Sequence, residues 1–182
     1  MNELTTDRFR LRLAGEDDAA LFFELDADPA VMTYINGGTP STSAETVAAA
    51  KRVGEVARLS GNRFGVWFAF HRESGEYVGW VLLRPDKAFP EKWEVLEVGY
   101  RLKKKWWGQG VASELGRRMV NYAFREQGAR EVFAIALKTN LASQAVMRKL
   151  GLRYAYDYVE EQFPGVDKDA VRFRLTADAY DP

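Results

Sequence analysis

The chain reads as an α+β protein built on a mixed, mostly antiparallel sheet of about seven strands, with helices on both faces. Three observations predict this. Segments of period two, FRLRL at 9–13 and VRFRL at 171–175, alternate apolar and basic residues near both ends of the sequence. Three strand-like runs follow one another at 63–70, 77–83 and 93–102 with only short polar turns between them, which favours antiparallel neighbours. The third run leads through a glycine turn into an amphipathic helix and then into VFAIAL at 132–137. A strand–helix–strand unit of this kind pairs its strands in parallel by a right-handed crossover.

Taken in order, Phe9, Leu11 and Leu13 define a first strand with one wet face. Glu16 to Ala27 reads as a helix with Leu21, Phe22 and Leu25 on one side, broken by Asp28-Pro29. NGGTPSTSAE at 36–45 is a loop, and a second helix runs from Ser43 to about Leu59. The strands Arg63 to Phe70, Tyr77 to Leu83 and Trp93 to Leu102 follow, with turns at 74–76 and 85–92. A helix is predicted from Gly108 to about Gln127, then the strand at 132–137 and a short helix from Asn140 to Leu150. Leu152 to Phe163 and Ala170 to Thr176 supply the last two strands.

The 182 residues fit a single domain over 1–182, with 47% hydrophobic and 29% charged residues. Lysine plus arginine equals aspartate plus glutamate at 26 each, which argues against DNA and against a general nucleic-acid binder. The lack of cysteine excludes disulfides, thiolate nucleophiles and thiolate metal sites, and the single histidine, His71, excludes a multi-histidine metal site. No apolar run approaches the roughly 20 residues of a membrane span, and MNELTTDRFR lacks a signal-peptide core. A cytoplasmic protein, monomer or homodimer, is expected.

WGQGVA at 107–112 is the strongest chemical signal. The first N–H groups of a helix have no intrahelical partner, and the helix dipole adds positive charge there. Gly108 and Gly110 would let the backbone close on an anion. The turn is not a P-loop, since no Gly-Lys-Ser/Thr follows, and it lacks the three-glycine dinucleotide spacing. A plain tight turn before a helix is the alternative. Lys103, Lys104 and Lys105 beside it read either as a solvated loop or as charge complementary to phosphates. Combined with the neighbouring tryptophans, they leave an RNA-binding reading open.

Trp107-Gly108-Gln109-Gly110-Val111-Ala112, preceded by EVGY and followed by Ser113-Glu114, resembles the coenzyme signature of the GNAT N-acetyltransferases, in particular the RimJ/RimL-type branch. The RLRL strand, DPAVMTY at 28–34 and NLASQAVMRKLGL at 140–152 extend the resemblance over nearly the whole chain. The first signature position departs, with Trp107 where Gln or Arg is usual. The resemblance implies acetyl-CoA as co-substrate, with a diphosphate held by the 107–113 turn. It implies that the fourth and fifth predicted strands splay, by a bulge at Gly99, to admit the pantetheine arm. Tyr100, Leu102, Lys103, Trp107, Gly108, Gln109, Gly110, Val111, Ala112, Ser113, Asn140 and Ser143 are then the expected coenzyme contacts. For Gly99 the alternative is a space-filling glycine, and for Asn140 it is a helix N-cap.

An amine must lose its proton to attack a thioester, so a carboxylate base is wanted. Glu97 is the candidate on the fourth strand, with an ion pair to Arg101 as the alternative. The resemblance implies a tyrosine late in the short helix to protonate the departing thiolate, but that position holds Met147. Ser143 is the nearest substitute, as an acid or as a coenzyme contact. Tyr34, Trp67 and Tyr156 are candidate acceptor walls, although the Tyr154, Tyr156, Tyr158 stripe also suits core packing. Asp26 and Asp28 are placed to attract a cationic amine. With no cysteine, direct attack in a ternary complex is expected. The acceptor implied by the branch is a protein N-terminal α-amine. The alternatives are a small amine or antibiotic as acceptor, or a coenzyme-A sensor without catalysis.

Overall fold

In the computed structural model, residues 3–87, 89–161, 163 and 167–181 are described. Eight strands form one sheet: β1 (Glu3–Thr5), β2 (Phe9–Leu13), β3 (Gly65–His71), β4 (Tyr77–Pro85), β5 (Val95–Leu102), β6 (Glu131–Leu137), β7 (Arg153–Val159) and β8 (Asp169–Thr176). Their spatial order is β1-β2-β3-β4-β5-β6-β8-β7. All neighbours are antiparallel except β5 and β6. Beside the sheet lie α1 (Ala19–Asp26), α2 (Pro29–Asn36), α3 (Ser43–Leu59), α4 (Val111–Asn121) and α5 (Leu141–Lys149). Among the described residues no helix is long and apolar enough to cross a membrane.

Period-two alternation divides the apolar residues between two cores. Phe9, Leu11, Trp67, Val81, Leu83, Leu96 and Val98 point to the face covered by α4 and α5, where they meet Leu115, Met119 and Met147. Val66, Phe68, Tyr77 and Leu82 point to the other face and pack with Phe22, Leu25, Val31 and Ala50 of α1–α3. On β5 the alternation leaves Glu97, Gly99 and Arg101 on the α1–α3 side, opposite Leu96, Val98 and Leu102.

Several expectations need correction. The strand at 3–5 is too short to show a pattern and forms by pairing with β2. Asp28-Pro29 ends one helix but starts another. The Asp28 carboxylate accepts the Ala30 N–H at 2.9 Å and proline takes the first helical position, so the dipeptide is a cap followed by the residue best suited to N1. The helix predicted from Gly108 begins at Val111, because Gly108 and Gly110 have φ of 73° and 76°. After Asn121 its last turn widens into a π-helical turn, Tyr122–Glu126. The strand predicted to Phe163 ends at Val159. Residues 162 and 164–166 lie outside the described set.

No bulge interrupts β5 at Gly99. The β4–β5 register runs unbroken from Gly79↔Leu102 to Pro85↔Leu96. Gly99 instead makes room for Leu82, whose Cδ2 would lie 3.0 Å from an added Cβ. The irregularity falls instead in the β3–β4 pairing, between Ala69 and Phe70 opposite Gly79 and Tyr77.

Candidate active site

The parallel ladder between β5 and β6 is short. It comprises Val95↔Glu131, Leu96↔Val132 and Glu97↔Phe133, and both strands then continue without pairing. β5 keeps its other partner, β4, to Leu102, and β6 keeps β8 to Leu137. The strands therefore fork just past Glu97, and the predicted splay is present without a bulge. A cleft of about 430 Å³ lies at this fork, within the usual range for small-molecule sites. Its wall includes residues from both sheet faces: Tyr100 and Leu102 from the α4/α5 side, and Arg101 from the other. Gly108, Gly110, Val111, Ala112 and Ser113 of the glycine turn and α4, Tyr34 of α2, the α5 cap Asn140 and Ser143 of α5 also line it.

The glycine turn is held by side chains bonded to backbone carbonyls. The Trp107 indole N–H donates to Leu102 O at 2.8 Å, and the Gln109 amide donates to Lys105 O at 2.6 Å. Arg8, brought over by the β1–β2 turn, donates from Nη2 to Gln109 O at 3.2 Å and from Nε to Glu114 at 2.6 Å. Glu114 also accepts from the Thr6 hydroxyl and the Arg8 backbone N–H. Burial raises the Glu114 pKa, but these donors outweigh it and hold the carboxyl below its ordinary range. The space beside Gly108 is empty of protein atoms within 4 Å, and beside Gly110 only Arg8 Nη2 approaches, at 3.9 Å. Two left-handed glycines before a helix whose first N–H groups point outward form a concave anion cradle. A β-carbon at either glycine would occupy it. Coenzyme A diphosphate therefore fits the residues present.

Other predicted residues are placed differently. Lys103 turns to α1 and pairs with Glu24 at 2.5 Å, and Lys105 pairs with Glu76, so the basic run is largely neutralised, and Lys103 does not line the cleft. The Gln109 side chain serves the turn rather than the cleft wall. Trp67 is wholly buried in the core against Tyr122 and is no acceptor wall. The alternation of β3 sends it beneath α4 rather than toward α2. Tyr154 and Tyr156 are exposed on the edge strand β7, so they are neither core nor cleft lining. A register shift between them breaks the predicted stripe. Asp28 caps α2, and Asp26 pairs with Arg101 at 2.6 Å.

Glu97 is 7% exposed and sits at the fork, on the face away from α4. Its ion pair is with Arg84, the cross-strand neighbour, not with Arg101. Arg84 Nε and Nη2 both donate to Oε2, at 2.8 and 2.6 Å. Oε1 takes no hydrogen bond among the described residues. Asn140 caps α5, accepting the Ser143 N–H at 3.0 Å. The Tyr100 and Ser143 hydroxyls lie 3.0 Å apart. Burial raises the Tyr100 phenol pKa, with the Ser143 contact opposing. Met147 faces the core at 2% exposure. Sequence reading missed Arg101, the α2 contacts Ala30, Val31 and Ile35, and Lys149. The α2 contacts were hidden once the helix itself went unread.

Comparison with known proteins fits this geometry. A family model described as an acetyltransferase (GNAT) domain matches residues 8–153. The FsC-acetyl coenzyme A-N(2)-transacetylase of Aspergillus fumigatus is 34% identical over 97% of this chain and 77% of its own length. The uncharacterised protein YkkB of Bacillus subtilis is 32% identical over 84% of this chain and 86% of its own. Among solved structures, RimL, a ribosomal L7/L12 α-N-protein acetyltransferase in complex with coenzyme A, superposes with a TM-score of 0.81. It covers 98% of this chain and 100% of that one at 16% identity, a likeness of fold.

Proposed function

The chain belongs to the GNAT acetyltransferase family and is an acetyl-CoA-dependent N-acetyltransferase, and on that premise we propose that the cleft at the β5–β6 fork joins the coenzyme to an α-type primary amine entering from the α2 side. When bound, acetyl-CoA supplies an activated acetyl group as a thioester. The observation that carries the reading is the fork. Pairing stops at Glu97↔Phe133, and the gap leads from the glycine cradle on one sheet face to Arg101 and Tyr34 on the other.

Each group then has a task. The N–H groups of Val111, Ala112 and Ser113 bind the diphosphate with Gly108 and Gly110. The β5 backbone beyond Glu97, freed from β6, offers N–H donors to the arm and to charge developing on the carbonyl oxygen. Glu97 stands at the fork outside the cleft wall; Arg84 fixes its carboxylate through Oε2, and Oε1 is left to receive a proton from the amine through water.

Two points support an α-type amine over a polycation. No carboxylate lines the cleft among the described residues, so its wall offers nothing to hold the several charges of a polyamine or an aminoglycoside. The fungal relative and RimL are named for an N(2) amine and an α-N-protein amine. The fungal relative, at 34% identity, gives more weight to a small-molecule acceptor, and RimL to a protein N-terminus. A free-thiol assay with acetyl-CoA and a panel of N-terminal peptides, free α-amino compounds, polyamines and aminoglycosides tests this. Thiol release with the first two groups is expected. Release confined to polycations would overturn the acceptor assignment, and release with none would overturn transfer to an amine.

A further inference from the structure

A diphosphate is met by fixed cations as well as by main-chain N–H groups, and the lysines beside the glycine turn do not supply them. Lys103 and Lys105 are turned away onto Glu24 and Glu76. The cation that reaches the cradle comes from the start of the chain. Arg8, on the β1–β2 turn, places Nη2 at 3.9 Å from the point where a Gly110 Cβ would stand. No other atom from beyond the turn lies within 4 Å of that point or of its counterpart at Gly108. We infer that Arg8 is a ligand of the coenzyme diphosphate, a hydrogen-bonding cation that the N-terminal hairpin lends to the anion held at the start of α4. The inference rests on the coenzyme site proposed above.

An arginine offers five N–H donors in a planar fork. Two are committed here, Nε to Glu114 Oε2 at 2.6 Å and one on Nη2 to Gln109 O at 3.2 Å. The remaining three have no partner among the described residues, and the side chain is 40% exposed. The free edge of the fork is therefore within reach of a ligand, with enough donors for a bidentate grip on phosphate oxygens.

The bonds already made aim the ones still open. They fix the guanidinium plane against both the glycine turn and the first turn of α4, so the free donors need no ordering when an anion arrives. Glu114 is anchored in its turn by the Thr6 hydroxyl and the Arg8 backbone N–H. Its charge offsets much of the long-range field of Arg8, so the guanidinium acts by hydrogen bonds at contact. A lysine swung onto a distant carboxylate has left the cradle altogether, whereas the fork of Arg8 bonds Glu114 on one side and keeps donors on another.

Titration with coenzyme A, 3′-dephospho-coenzyme A and, by competition, pantetheine reads the phosphate groups separately. Arg8→Met keeps an unbranched stem over the Phe9 ring. It should lower affinity for the first two ligands by roughly ten- to a hundredfold and leave pantetheine unchanged. Arg8→Lys, which keeps the charge without the fork, should fall between. Glu114→Ala separates contact from bracing, because it cuts the brace and leaves the guanidinium in place. Its affinity for coenzyme A should stay within about fivefold of wild type. Equal losses in Arg8→Met and Glu114→Ala, or wild-type affinity in Arg8→Met, overturn Arg8 as a ligand. A loss seen with coenzyme A and absent with the dephospho form overturns the assignment to the diphosphate. Should Arg8→Met fail to fold, a crystal of the wild-type protein with coenzyme A decides. An Arg8 nitrogen within about 3.2 Å of a diphosphate oxygen is expected, and separation beyond about 4 Å overturns the contact. Wild-type protein that binds none of the three ligands overturns the coenzyme site itself.

Discussion

Gly110 shows how much one residue carries. Its φ of 76° caps α4, and its missing side chain leaves the cradle open beside Arg8. A β-branched residue is a genuine outlier at that φ and would fill the anion's place. Gly110→Val should weaken coenzyme A binding at least a hundredfold while far-UV circular dichroism stays native. Calorimetry checks the first outcome, and near-wild-type affinity would discard the cradle. Glu97→Gln should reduce kcat by roughly a hundredfold and leave the acetyl-CoA dissociation constant unchanged. Steady-state kinetics and direct binding on the same preparation separate the two effects. Gly108, Gly110 and Asn140 were legible in sequence because local backbone demands set their types, whereas Ser143 was reached only through the family resemblance. Trp67 was misread because its β3 alternation points it into the α4 core, and Lys103 because Glu24 on a distant helix takes its charge.

Elements decide how the cradle is held. The β1–β2 turn brings Thr6 and Arg8 onto Glu114 of α4, so the N-terminal hairpin braces the glycine turn from more than 100 residues away in sequence. The Glu114 carboxyl, held below its ordinary pKa of 4.5, makes the brace acid-sensitive. A depressed carboxyl contributes stability that is present above its unfolded pKa and is lost as pH falls through its folded one. Wild type should therefore exceed Glu114→Gln in melting temperature at pH 7, and the gap should close as pH drops below about 4.5. A gap independent of pH would show that the carboxylate charge is irrelevant. Gly79 governs the sheet. At φ 141° an added Cβ would lie 2.3 Å from the Arg101 carbonyl oxygen of β5. Gly79→Ala should cost about 2–4 kcal/mol, measured by denaturant unfolding.

Across the whole molecule, β5 and β6 belong to two antiparallel half-sheets that share only three residue pairs. One core runs beneath both halves on the α4/α5 face, and the other packs β3 and β4 alone against α1–α3, so past Glu97 the candidate cleft is a gap in the sheet. A ligand bridging that gap should stabilise both halves at once. At coenzyme A a hundredfold above its dissociation constant, the gain is about 2.7 kcal/mol. For a chain of this size the melting temperature should rise by roughly 5–10 °C. Differential scanning calorimetry would show one transition moving as a unit. An unmoved transition at saturating ligand would contradict a site at the fork.

The sequence by itself determined the order of most elements, the alternation that sends Leu96 and Val98 to one face and Glu97 to the other, and the glycine turn that opens α4. Each of these follows from the backbone preferences of a few adjacent residues. Only the tertiary structure decided that Arg84 holds Glu97, that Arg8 braces Gln109 and Glu114, that α2 lines the cleft, and that Tyr100 meets Ser143. Those contacts join residues tens of positions apart. A side chain's partner is set by which strands neighbour in the sheet and where they part, and local pattern does not encode that.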